Sequence, residues 1–145
     1  AYGSYWVVIF TYPANTNEDS FAQQVLALVN KERTTRGLNS LELGDTNLNA
    51  ATAQRAREIA EVNSHTRPDG SSCFTVLGQY NVTDEAVGEN AAWGEVSPEE
   101  VVTSWMNSTG HRDILLDPAA RKMSVACYYN ANSTYGTNWD MLVTK

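Results

Sequence analysis

The stretch SWMNSTGHRDILLD, residues 104–117, holds one of the two histidines in this chain of 145 residues. A helix leads into it, because residues 97–100 read Ser-Pro-Glu-Glu, with a serine cap, a proline at the first helical position and a glutamate at the third. We expect that helix to end at Gly110. His111 then lies just past the helix with Arg112 beside it, a position that suits a metal ligand, a catalytic base or a residue that only packs.

The other histidine, His65, also lies at an element boundary and has Arg67 close by. Between the two histidines, Glu89 occurs in a strand-like segment, in phase with apolar residues that alternate along one face. A carboxylate on such a face needs a partner. The histidines and arginines are the candidates.

Two imidazoles and one carboxylate suit two kinds of site. They could form an open three-ligand zinc site with water in the fourth position, or act without metal as acid and base. The spacing of His65, Glu89 and His111 matches no local metal motif such as His-Glu-x-x-His. The residues alone therefore leave open a metal or catalytic site and a structural hydrogen-bond network.

The remaining pattern predicts a mixed fold. Ser20 with Gln23 forms a capping box at the start of one helix, and Gly37 suits its end. Helices and strands then follow in mixed order, so we expect an α+β fold with helices packed on a small antiparallel sheet. The further predicted helices cover about 47–62 and 73–80, and the predicted strands cover 85–93, 123–129 and 139–144.

The N-terminal segment is set apart from this domain. Residues 1–12 are predicted to form a strand with apolar residues on both faces, and 13–18 a linker, which leaves 19–145 as one domain. YGSYWVVIFT at 2–11 matches YGTNWDMLVT at 135–144. Chance or shared strand propensity is one explanation. The other is a relict of a preceding domain copy, which extends the sheet beside the C-terminal strand or swaps onto a neighbouring molecule.

Composition excludes some classes of function. A net charge of -7 argues against a nucleic-acid binder. No apolar run approaches the roughly 20 residues of a membrane span. The surface composition is typical of an exported protein. Cys73 and Cys127 are either a disulfide or two buried free thiols.

Three motifs resemble a known family. HTRPDG at 65–70, GENAAWG at 88–94 and SWMNSTGHRDIL at 104–115 occur in the order seen in the CAP superfamily of cysteine-rich secretory proteins, antigen 5 and plant pathogenesis-related proteins. The chain resembles in particular the bacterial extracellular branch, called SCP-like, from about Asp19 to the C-terminus. The resemblance implies an α-β-α sandwich, a secreted location and a cleft with a tetrad of histidines and glutamates.

Carried over residue by residue, the resemblance assigns His65, Glu89 and His111 to this tetrad, facing one another across the cleft. The fourth member is a glutamate in the family, but Ser108 stands there in this chain. We expect no required cofactor, with a divalent metal such as zinc, held by His65 and His111, as the candidate. The predicted cleft residues are His65, Arg67, Glu89, Asn90, Ser108, His111 and Arg112.

The function expected from the resemblance is a secreted domain whose cleft binds a small ligand, a divalent metal or a peptide. No residue is assigned to catalysis, although His65, Glu89 and His111 are the candidates. One alternative is a metal-dependent hydrolase that activates water in the same cleft. Another is a domain that binds cell wall or carbohydrate through exposed loops rich in tyrosine and asparagine. If Glu89 contacts both imidazoles, at least one should titrate above the ordinary value of about 6.5.

Overall fold

A mixed sheet forms the middle layer of the protein. The computed structural model describes residues 20–145 and, for the N-terminal segment, the backbone of Gly3–Tyr5. The strands are β1 (Gly3–Tyr5), β2 (Glu42–Leu43), β3 (Ala86–Trp93), β4 (Lys122–Asn130) and β5 (Thr137–Thr144). The order β1-β4-β5-β3 is antiparallel at each pairing, and β2 pairs in parallel with the start of β4.

Helices cover both faces of this sheet. Their bounds are α1 (Phe21–Thr34), α2 (Thr46–Val62), α3 (Thr75–Gln79), α4 (Pro98–Met106) and α5 (Thr109–Leu115). α1, α4 and α5 pack together on one face, while α2 and α3 cover the other. The α+β class and the α-β-α layering predicted from the sequence are therefore confirmed, with the parallel β2–β4 pair as an addition.

The two faces of the sheet bury different chemistry. Under α1 and α4 the core is apolar, with Trp105 and Trp139 almost fully buried and the Phe21 ring edge-on to Trp139 at 6.1 Å. Under α2 the side chains that pack on the sheet are small, since Ala53 and Ala56 of this helix contact β4. This face also carries the buried charged side chains described below. The charged network around Glu89 therefore lies between α2 and the sheet.

The predicted helix starts are confirmed. Ser20 Oγ accepts a hydrogen bond from the Gln23 amide at 3.3 Å, and Ser97 Oγ accepts one from the Glu100 amide at 3.1 Å. These bonds satisfy backbone donors that have no partner within the first helical turn. Gly37, with φ +76°, follows the end of α1 as predicted.

The predicted end of the fourth helix at Gly110 is wrong. α4 ends at Met106, and the extended backbone of Ser108 separates it from α5. Gly110 and His111 therefore lie in the first turn of α5. The chain breaks earlier than the glycine because Ser108 starts a new helix, so His111 is held by a helix and does not follow one.

The described part of the N-terminal segment joins the sheet. Gly3–Tyr5 pairs with the outer edge of β4, so the expected position beside the C-terminal strand β5 is wrong by one strand. The rest of the strand predicted over 1–12 lies outside the described residues, and the strand swap stays a prediction.

Both cysteines are buried free thiols, so the disulfide is not formed. The reason is their placement. Cys127 belongs to the core under α1 and α4, whereas Cys73 lies on the other side of the sheet, near Glu89 and Arg55. Burial raises the pKa of Cys73 to about 11 and that of Cys127 to about 12.

Within the described ranges, no helix combines the length and the apolar character that a bilayer crossing requires.

Candidate functional site

An arginine of α2 holds the predicted glutamate of β3. Arg55 Nε donates to Glu89 Oε2 at 2.7 Å, and Arg55 Nη2 donates to Glu89 Oε1 at 3.2 Å. The two side chains are 0% and 1% exposed. Burial by itself raises the pKa of Glu89, but the hydrogen bonds from His65 and Arg55 outweigh it and lower that pKa. Glu89 is therefore a buried carboxylate that stays ionised.

His65 binds the same carboxylate from the solvent side. Its Nδ1 lies 2.7 Å from Glu89 Oε1, while 55% of the side chain is exposed. The turn that brings it there starts at Asn63, which ends α2 in the left-handed conformation at φ 43°. Arg55 Nη2 also donates to the Ser64 carbonyl at 3.0 Å, and the Cys73 amide donates to the His65 carbonyl at 3.1 Å. The backbone on both sides of the ring is thus fixed.

The ionised state of Glu89 decides which nitrogen of His65 carries a proton. A carboxylate only accepts hydrogen bonds, so Nδ1 must be the donor. In the neutral ring Nε2 then carries the lone pair, and in the charged ring Nε2 is a second donor. The bond to Glu89 is the first cause that raises the pKa of His65, with burial acting against it.

A second ion pair continues the network along α2. Arg55 Nη1 donates to Glu58 Oε2 at 2.7 Å, and Arg67 Nη2 donates to Glu58 Oε1 at 2.7 Å. Burial raises the pKa of Glu58, but the bonds from Arg67, Gln54 and Arg55 prevail and lower it to about 2. Arg67 also bonds Gln79 at 2.6 Å, so it ties the loop to α3 and is itself mostly buried.

A third carboxyl group lies under Glu89. Asp140 on β5 is 0% exposed, and within the described residues neither of its oxygens has a hydrogen-bond donor. Burial, and then the charge of Glu89, hold its pKa well above the ordinary value. Its buried position near another carboxylate thus favours the protonated form of Asp140.

The second histidine is held from the opposite layer. Asn90 is fully buried, and its Nδ2 donates to the His111 carbonyl at 3.0 Å, so β3 is cross-linked to α5. Gly88 permits the close approach, because a Cβ there would lie 2.6 Å from the Ile114 side chain. Burial lowers the pKa of His111, and the charge of His65 lowers it further. The two imidazoles are thus close enough to influence each other's charge.

The structure does not join His111 to Glu89. Successive residues of a strand point to opposite faces, so Glu89 points to α2 and Asn90 to α5. In residues 20–145 the His111 ring makes no hydrogen bond to Glu89. Ser108 is the residue before α5, where its hydroxyl makes no capping bond. Arg112 donates to the Met106 carbonyl at 3.4 Å and does not pair with a carboxylate of the described chain.

The predicted three-ligand metal site does not fit these residues. Both oxygens of Glu89 are engaged by Arg55 and His65, so Glu89 orients a histidine and does not supply a ligand. Within the described ranges, no three histidine, cysteine, aspartate or glutamate side chains lie together so that they could hold a metal ion. The donor set left is the two imidazoles.

Sequence reasoning missed Arg55, Glu58 and Asp140. A signal for the first was present, because Arg55 lies four residues from Ala51 and from Ile59 on the inward stripe of α2. A charged residue on an apolar stripe needs a buried partner. Asp140 gave no such signal, since its neighbour Glu89 lies on a strand far away in sequence.

An open groove of about 600 Å³ lies near His111 and contains none of the predicted cleft residues. Glu95, one of its lining residues, is close enough to His111 for its charge to act on that imidazole. The groove is lined by Trp93, Gly94, Glu95, Glu99, Glu100, Thr103 and Ser104.

Two solved structures share this fold. An extracellular protein containing an SCP domain from Bacillus anthracis has a TM-score of 0.71 at 23% identity, over 86% of this chain and 40% of that one. An outer surface protein from Borrelia burgdorferi has a TM-score of 0.71 at 21% identity, over 83% of this chain and 89% of that one.

Sequence comparison gives the family. Uncharacterized protein YkwD of Bacillus subtilis (strain 168) is 34% identical over 110 residues, which are 74% of this chain and 42% of YkwD. The chain thus spans less than half the length of YkwD and of the Bacillus anthracis protein. The sequence profile described as CAP: Cysteine-rich secretory protein family matches residues 26–143. The chain belongs to the CAP family, as the three motifs of its sequence predicted.

Proposed function

We propose that this CAP domain works outside the cell as a binding module, and that its ligand contacts His65 and His111. The extracellular location is supported by the family's description as secretory and by the extracellular and outer-surface proteins that share the fold.

One observation carries the proposal. Glu89 fixes the His65 ring from behind, while more than half of that side chain is open to solvent. A ring oriented by a buried carboxylate has its second nitrogen aimed outward with little freedom left to lose on binding. This arrangement favours recognition of a ligand at Nε2.

The opposite pKa shifts of the two imidazoles indicate the kind of ligand. His65 favours its charged form and offers a donor, whereas His111 favours its neutral form. A molecule with a carbonyl or carboxylate oxygen complements His65, and a peptide supplies such groups at regular spacing. The groove beside Glu95 gives an extended ligand room to continue.

A divalent ion fits less well. With Glu89 engaged, an ion between the imidazoles would take its remaining ligands from water or from the bound molecule. The hydrolase alternative needs a metal ion to activate water, so the engagement of Glu89 by Arg55 and His65 also makes it the less supported function. The proposal is therefore binding of a small polar ligand or peptide, without catalysis.

An NMR titration of the imidazole signals tests the proposal. The two probes are acetyl-trialanine and zinc chloride, added to the wild-type chain, to His65→Ala and to His111→Ala. We expect the peptide to shift both imidazole signals saturably at millimolar concentration, and the shift of the His111 signal to vanish in His65→Ala. Arg36→Ala, at an exposed site just after α1, is the control that should bind like wild type.

Three results would count against the proposal. Peptide shifts that persist unchanged in His65→Ala would move the ligand to another surface. Shifts with zinc alone, lost in either histidine variant, would favour a metal site. Cleavage of casein or of a peptide library by wild type but not by His65→Ala would establish an enzyme.

A further inference from the structure

The sequence repeat falls on the two sides of one strand. Residues 2–11 and 135–144 share Tyr-Gly-Ser/Thr-x-Trp at a constant separation, so that Ser4 matches Thr137 and Tyr5 matches Asn138. The later copy contains β5, which lies on the inner side of β4, and the earlier copy contains β1, which lies on its outer side. Both copies run antiparallel to β4.

The two copies also share their register on β4. Ser4 pairs with Tyr129 from outside, and its match Thr137 pairs with Tyr129 from inside. One residue further, Tyr5 and its match Asn138 both pair with Tyr128. A strand that lay on this edge without selection could adopt several registers. The agreement indicates that both edges of β4 pair with the same strand sequence in the same register.

The outer edge of β4 has room for more of that strand. Among the described residues its outer partners are β1 at Tyr128–Asn130 and β2 at Lys122–Met123, which leaves the four residues 124–127 between them. The Met123 carbonyl accepts from the Gly44 amide on this side, and backbone groups alternate sides in an antiparallel ladder. Val125 and Cys127 therefore also direct their backbone groups outward. Both are 0% exposed, and buried backbone groups need partners.

We propose that the outer edge of β4 is an acceptor site for the closing-strand sequence, and that residues 1–12 of the same chain occupy it. In the register of β1, residues 6–9 of the sequence, Trp-Val-Val-Ile, match the four residues 124–127. The occupant is the chain's own segment and not that of a second copy, because a short connection within one chain gives an effective concentration in the millimolar range. The segment covers a sheet edge that would otherwise pair with other chains.

Two proline variants of the full-length chain test the register. In it the Val8 amide points to β4 and the Val7 amide points away, so Val8→Pro removes a ladder bond and Val7→Pro does not. The readout is amide hydrogen exchange at Val125 and Cys127, measured by NMR. We expect both amides to be protected in wild type and in Val7→Pro, and to exchange about tenfold faster in Val8→Pro. The Ala126 amide, which faces β5, should not change.

Equal exchange of Val125 in all three chains would overturn the acceptor site, as would equal acceleration in both variants. The molar mass of the same samples, measured by light scattering, shows whether the segment comes from the same chain or from a second copy. Protection in a monomer supports the chain's own segment, and protection that appears only in a dimer overturns it in favour of strand exchange between copies.

Discussion

Arg55 on α2 donates two hydrogen bonds to Glu89 on β3, at 2.7 and 3.2 Å, and both side chains are buried. This pair joins a helix to the sheet across the layer that carries the site. It keeps Glu89 ionised, and Glu89 in turn orients His65. The state of an exposed imidazole therefore depends on an arginine that solvent does not reach.

Removing the arginine should destabilise the fold strongly. Arg55→Met leaves Glu89 and Glu58 with one partner fewer inside the protein, and loss of one partner of a buried pair costs about 3–5 kcal/mol. We expect a loss of that size in the free energy of unfolding from urea denaturation at pH 7.

The matched control is Arg36→Met. Arg36 pairs with Glu32 on the exposed side of α1, where such a pair contributes about 0.5 kcal/mol or less. If Arg55→Met also changed the free energy of unfolding by less than about 1 kcal/mol, the Arg55–Glu89 pair would not hold the layer together.

The two histidines should titrate on opposite sides of about 6.5. The bond to Glu89 raises the pKa of His65 against the effect of burial, whereas burial and then the charge of His65 lower the pKa of His111. The folded state thus binds the His65 proton more tightly than the unfolded state. Its contribution to stability is complete below about pH 6.5 and is lost as pH rises through the folded pKa.

Proton NMR of the imidazole signals measures both pKa values, with His111→Ala used for assignment. A His65 signal that titrates at or below that of His111 is the outcome that contradicts the bond to Glu89.

Asp140→Asn should stabilise the protein increasingly as pH rises. In the unfolded chain Asp140 ionises near its ordinary value of about 3.9, but in the folded chain burial and the charge of Glu89 raise its pKa. Folding at neutral pH therefore takes up a proton, which costs more free energy at higher pH. Asparagine keeps the shape of the side chain without that cost. Urea denaturation at pH 5 and pH 8 checks this. If Asp140→Asn changed the free energy of unfolding equally at both pH values, Asp140 would be ionised in the folded state.

The two cysteines should be unreactive until the protein unfolds. Both are buried, with pKa values raised by burial to about 11 for Cys73 and about 12 for Cys127. Ellman's reagent at pH 8 should find no thiol in the native chain and both thiols in urea without reductant. Absence of thiols in urea would mean that the disulfide had formed.

Much of the fold was predictable because its signals are local. The caps at Ser20 and Ser97 and the alternation around Glu89 each depend on a few neighbouring residues. The end of α4 was misplaced because glycine is a common helix terminator, whereas the chain leaves the helix earlier, at the extended backbone of Ser108.

The site was predictable in part. The motifs identified both histidines and Glu89, but not the face of the sheet from which each side chain approaches. Glu89 and Asn90 are neighbours in sequence and point to opposite layers, so one bonds His65 and the other supports His111. Asp140 becomes a partner of Glu89 only when β3 and β5 lie side by side, which no local pattern states.

The tautomer of His65 reports whether the buried Arg55–Glu89 pair sets the state of the exposed imidazole. If Arg55 keeps Glu89 ionised, Nδ1 of the neutral His65 ring carries the proton, and Nε2 carries none. A long-range ¹H–¹⁵N correlation spectrum of the full chain above the pKa of His65 distinguishes the two nitrogens. We expect a protonated Nδ1 and an unprotonated Nε2. A protonated Nε2 with a bare Nδ1 would contradict this expectation.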